Sequence, residues 1–157
     1  MPYIYYMRYL FFLFYFFFFQ LESHQYEKNN IVIKHPIIKL NSASANLGAG
    51  YLKILNNSES NIYLTKIETK ISKKEEIHEI ILEKEIYKMR PVKDNILITP
   101  GNELIFKPKS YHIMFFGFKK PLIQGQMIKS NLYFNNDLII PILFKIVVKS
   151  DESHKHH

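Results

Sequence analysis

Short apolar runs, rich in β-branched and aromatic residues and cut by turn-forming residues, recur along most of this chain. That punctuation limits what it can fold into. The runs are Ile31–Lys34, Ala49–Asn56, Ile62–Thr69, Glu76–Leu82, Ile96–Thr99, Glu103–Lys107, Tyr111–Phe116, Gln126–Phe134 and Leu138–Val148. Turn residues stand between several of them, as at 56–61, Pro100-Gly101, Pro108-Lys109 and Asn135-Asn136-Asp137. Runs of this kind read as strands, and closely spaced strands read as an antiparallel sandwich or barrel. Alternation is clearest near the C-terminus. Ile128, Ser130, Leu132 and Phe134 share one face of their run, and Ile140, Ile142, Phe144, Ile146 and Val148 share one face of the next. The expected class is therefore all-β. Pro141 lacks an N–H, so its strand is expected at an edge or with a bulge. The Glu/Lys-rich stretch Ile71–Lys84 leaves room for a helical turn.

The first residues differ in character. From Tyr3 to Phe19 almost every residue is apolar or aromatic, and Arg8 is the only charge. The run has the length of a signal-peptide core and is short for a membrane-spanning helix of about 20 residues. Residues 1–23 therefore read as an export signal, with an uncleaved anchor as the rival, and no cysteine follows to carry a lipid. Polar residues 24–30 read as a linker, 31–149 as one domain, and 150–157 as a histidine-rich tail. The formal net charge is +7, but Lys and Glu are interspersed. No basic cluster with aromatic interleaving marks nucleic-acid binding. Attraction to anionic lipid or to an acidic partner stays open.

The chain contains no cysteine, so thioether is its only sulfur ligand. An exported domain without disulfides relies on its core, and a metal carrier in an oxidising space gains by avoiding thiols that would pair. His78, Met89, His112 and Met114 fall at ordered intervals: ten residues, then twenty-two, then one. Imidazole with thioether is a poor donor set for zinc, calcium or magnesium and a good one for Cu(I). Each residue alone has a plainer reading, as methionine usually fills core and a strand histidine is usually structural. His112 and Met114, two apart on a strand, would point to the same side about 6–7 Å apart at the backbone. The tail sequence Asp151-Glu152-Ser153-His154-Lys155-His156-His157 offers a second candidate, suited to Cu(II), in His154, His156 and His157. His24 and His35 read as solvent-facing, and Met127 lies opposite the core face of its run. Neutral imidazole is the ligating form, so Cu(I) affinity should fall below about pH 6.

The surrounding sequence resembles the periplasmic copper chaperone family PCu(A)C. The resemblance rests on Glu76-Ile77-His78-Glu79, Tyr87 to Val92, Ile96 to Gly101, Leu104 to Pro108, His112-Ile113-Met114, Gly117 to Leu122 and Gly125, with Ala49 to Asn56 upstream. It runs from about Ile31 to Val148. The family's second gap is usually twenty-one residues, and Gly often stands where this chain has Tyr111. The resemblance implies a cupredoxin-like β-sandwich carrying Cu(I) between two histidines and two methionines. It further implies a periplasmic protein, and a monomeric, non-enzymatic one is expected. Such a protein would hand copper to a copper-accepting protein, such as the cytochrome c oxidase subunit bearing the Cu-A centre, or would buffer periplasmic copper. The rival is a non-catalytic periplasmic binding or scaffold module without metal transfer. A blue-copper electron carrier needs a Cys ligand and is excluded. A hydrolase is disfavoured because Ser110 has no partner acid or nucleophile turn.

Overall fold

The structure, a computed structural model, describes residues 25–149. The proposed export signal, His24 and the histidine-rich tail lie outside the described residues. Among the described residues there is no helix. Eleven strands follow one another there. They begin with β1 (Gln25–Lys28), β2 (Ile31–Leu40), β3 (Leu47–Asn56), β4 (Ile62–Thr69), β5 (Lys74–Glu83) and β6 (Ile86–Pro91). They continue with β7 (Ile96–Ile98), β8 (Glu103–Phe106), β9 (His112–Phe116), β10 (Met127–Phe134) and β11 (Ile139–Val148).

The strands join in the order β6-β5-β9-β3-β2-β11-β10-β4-β7, with β1 added to β2 and β8 to β3. One core takes side chains from both halves of this path: Ile33, Ile38, Ile54, Ile113 and Phe115 from one, Leu64, Ile98, Leu132 and Phe144 from the other. The sheet is thus bent over its own apolar face into a sandwich. Phe115 of β9 meets Phe144 of β11 edge-on, with ring centroids 5.6 Å apart. Both rings are fully buried, and each contributes about 1.5–3 kcal/mol. The architecture is the all-β, cupredoxin-like sandwich expected from the sequence.

Several details depart from expectation. Residues 25–28, polar enough to read as linker, form β1. Its Tyr26 packs onto the core, and Asn29 and Asn30 close a two-residue hairpin with φ of 52° and 61°, a geometry asparagine tolerates. The stretch with room for a helical turn instead contains β5, whose register with β9 sets Ile77 opposite Ile113 and packs it onto the core. β11 is not an edge strand: it pairs antiparallel with β10 and parallel with β2. Its pairing with β2 starts only at Lys145, so Pro141 occupies a stretch bonded on the β10 side alone.

Two features of β3 aim the site. Its C-terminal half pairs with β8 and its N-terminal half with β9. A Cβ on Gly50 would lie 2.6 Å from the Phe115 ring, so only glycine lets that ring seat on the core. With Ile113 and Phe115 fixed inward, the two-residue period turns His112 and Met114 to the opposite face of β9.

Candidate metal centre

The three strands β6, β5 and β9 lie side by side, and their register brings the four candidate ligands to one face. His78 of β5 stands directly opposite His112 of β9, with ring centroids 5.8 Å apart. Met114 stands opposite Glu76, and Met89 of β6 stands opposite Ile80. Each methionine is therefore one diagonal step from His78, about 7–8 Å at the backbone. The methionines lie on opposite diagonals, so His78 is the hub of the set. Met89, His112 and Met114 all line one open cleft of about 380 Å³.

Burial separates the four. His112 is 4% exposed and Met114 9%, while Met89 is 53% exposed. Although His112 and Met114 stand at a strand start just after the Pro108-Lys109-Ser110 turn, the structure buries both. Met114 nevertheless stays outside the apolar core cluster and lines the cleft. Its thioether is thus available from the cleft side rather than consumed as core filling. Met127 lies on β10, and His35 is an exposed residue at the β2 bulge; neither lines this cleft.

The hydrogen bonds of the two imidazoles define which nitrogen of each is free. A turn closes before β9, where Ser110 N–H donates to Lys107 O, with Pro108 second and Lys109 third at φ 61°, the pattern of a type II turn. That turn presents the Ser110 carbonyl to His112, whose Nδ1–H donates to it at 2.9 Å. On β5, His78 Nε2–H donates to the Glu76 carboxylate at 2.9 Å. Hydrogen bonds from Lys74 first, and then from His78, hold the Glu76 carboxyl below the usual carboxylate range. The remaining nitrogens, His112 Nε2 and His78 Nδ1, are buried with no partner among the described residues.

An unpartnered buried polar atom is costly, about 1–3 kcal/mol, so two of them on rings paired across adjacent strands call for an explanation. Metal-ligating histidines show this same division: one ring nitrogen anchored to a carboxylate or carbonyl, the other left for the ion. Among the described residues no three His, Cys, Asp or Glu side chains cluster as a metal site. A zinc or calcium cage of the usual donors is therefore not formed there. What the register brings to one face is two histidines and two methionines, a donor set of the kind that suits Cu(I). The sequence did not single out Glu76 and the Ser110 carbonyl as anchors. Glu76 lies two residues before His78 on the same face, whereas a backbone carbonyl leaves no trace in residue type.

Solved structures share this fold. A copper-bound PCuAC domain from PmoF2 superposes with a TM-score of 0.66 at 16% identity, covering 80% of this chain and 99% of that one. The apo PCuAC domain from PmoF1 gives 0.66 at 17%, covering 80% and 100%. The solution structure of apo-DR1885 from Deinococcus radiodurans gives 0.61 at 15%, covering 82% and 86%. At these identities the likeness concerns the fold. No curated protein matches the chain significantly in sequence. Residues 31–145 match the family described as "Putative lipoprotein LpqE-like". That match spans most of the chain, which therefore belongs to the LpqE-like family.

Proposed function

We propose that this protein is an exported Cu(I) carrier of the PCuAC type, holding one cuprous ion between His78, Met89, His112 and Met114. The observation that carries the reading is the pair of buried, unpartnered nitrogens, His78 Nδ1 and His112 Nε2, beside a cleft lined by both methionines. The fold shared with a copper-bound PCuAC domain supports it. Cu(I) is cargo here, and the chain's own part is to prearrange donors. Glu76 and the Ser110 carbonyl fix the rings so that little reorganisation accompanies binding. The neutral donors hold the ion without thiolate, so a stronger acceptor can displace them one at a time. Exposed Met89 is the donor placed to leave first.

The recipient proposed is the Cu-A centre of cytochrome c oxidase in the periplasm, with copper buffering as the same chemistry without a recipient. His154, His156 and His157 of the tail are proposed to capture Cu(II). Titration with Cu(I) against a chromophoric chelator should give one equivalent. X-ray absorption of the loaded protein should show both nitrogen and sulfur neighbours. A loaded protein with only nitrogen and oxygen neighbours, or no uptake, would remove this function.

A further inference from the structure

The cleft that leads to the candidate site is lined by apolar side chains and by two lysines, Lys39 and Lys109, with no carboxylate among its walls. Both lysines are exposed. Lys39 lies over the Tyr51 ring, its ammonium 5.7 Å from the centroid. Among the described residues neither lysine has a carboxylate within ion-pair distance. On the neighbouring hairpin, by contrast, Lys74 pairs with Glu76, and Lys88 and Arg90 pair with Glu83. A cuprous ion held by neutral donors adds a further positive charge at the cleft floor.

The rim is apolar as well as cationic. Leu47 and Met89 line the cleft with roughly half their surface exposed. Leu82 and Tyr87, 61% and 69% exposed, face each other across β5 and β6 on the same side as Met89. Large exposed apolar side chains gathered on one face mark an interaction surface. Unpaired cations around an apolar centre select a partner of opposite charge and speed its approach.

We propose that this cleft is the docking surface for an acidic copper-acceptor protein, which places a soft donor side chain inside the cleft while its carboxylates meet Lys39 and Lys109. The proposal rests on the Cu(I) reading above. It excludes cationic acceptors, because the loaded mouth repels them.

The test measures Cu(I) transfer from the loaded full chain to two synthetic acceptor peptides. They share a His- and Met-containing core and differ only in flanking Asp or Lys runs. The acidic peptide should accept copper roughly tenfold faster at low ionic strength, with the gap closing as salt rises past about 0.15 M. The double variant Lys39→Gln/Lys109→Asn should narrow the gap to less than about twofold while Cu(I) affinity stays unchanged. Asparagine at 109 accommodates the positive φ there. Lys120→Gln/Lys129→Gln, in a separate cleft, removes equal charge and should leave the preference intact. Equal rates for the two peptides, or a preference that survives in the first double variant, overturns the proposal while leaving Cu(I) binding standing. Failure to load copper at all overturns both. Binding to phosphatidylglycerol vesicles through these lysines, with no peptide preference, assigns them to a membrane and overturns it too.

Discussion

The sheet buries polar side chains in two quite different ways. At the end of β3, Asn56 is fully buried and its amide is satisfied. Its Nδ2 donates to Ser60 O at 2.8 Å and to Ile98 O at 2.9 Å, while its Oδ1 accepts from the backbone N–H and hydroxyl of Ser58. One and two strands away, His112 is nearly as buried and His78 partly so, yet each keeps one ring nitrogen buried without a partner. The first arrangement closes a corner and has nothing left to offer. The second is anchored on one side and open on the other. Burial of a polar group is thus no mark of function by itself, nor is a missing bond alone, since Ser130 Oγ on β10 also lacks a partner; what sets the histidines apart is two such nitrogens on rings paired across adjacent strands.

That contrast breaks if stability responds alike at the two places. Asn56→Ala should cost about 3 kcal/mol in chemical denaturation, since it breaks four hydrogen bonds at about 1 kcal/mol each and strands the buried Ile98 carbonyl. His112→Ala removes one anchor bond and one unsatisfied nitrogen, and should change stability by less than about 1 kcal/mol. Its effect belongs to copper instead. Competition titration should show Cu(I) affinity falling about 100-fold, equivalent to about 2.7 kcal/mol. A His112→Ala protein that unfolds as readily as Asn56→Ala, with copper affinity intact, would make both sites structural.

The two regions also differ in how far the sequence disclosed them. β10 and β11 are read directly, because strict alternation matches their burial: Ile128, Ser130, Leu132 and Phe134 are all buried, as are Ile140, Ile142, Phe144 and Ile146. The β5–β6 hairpin is not read, because its two-residue turn uses Lys84 and Glu85 at φ 50° and 64°. Those are helix-forming residues in a conformation usually given to Asn or Gly, so local propensity points the wrong way. The parallel pairing of β11 with β2 is equally hidden, since residues 37–40 and 145–148 meet only through the folded sheet. The four ligand candidates stand out in the sequence because soft donors are scarce and fall at ordered intervals. Their placement on one face is not legible there, because it depends on β5 lying between β6 and β9.

Within the site itself the comparison sharpens between buried and exposed donors. Met89 lies two strands from Met114 and must give up side-chain freedom to reach an ion near the histidines. Met89→Ala should therefore weaken Cu(I) binding only about tenfold, or about 1.4 kcal/mol. Being half exposed, it should leave unfolding within about 0.5 kcal/mol of the parent. An equal loss from Met89→Ala and His112→Ala would show that the hairpin closes fully on the ion.

The smallest effect concerns how firmly that hairpin is held. Glu83 of β5 accepts from Lys88 Nζ at 2.6 Å and from Arg90 Nη2 at 2.8 Å, both on β6. The Lys88 hydrogen bond and then the Arg90 charge hold its carboxyl below the usual carboxylate range. A carboxyl whose pKa is lower folded than unfolded stabilises the fold at neutral pH, and loses that contribution as pH falls through the folded value. These side chains are largely exposed, so solvent and salt keep the contribution small. Acid should therefore loosen the β5–β6 turn while β10 and β11 are unaffected. Hydrogen exchange at Ile81 and Lys88, a directly paired couple across the hairpin, compared at each pH with Glu83→Gln, should show protection in the parent at neutral pH that converges on the variant in the acid range. Parallel behaviour of the two proteins at every pH would mean that the turn, rather than the charges across it, holds Met89 beside the site.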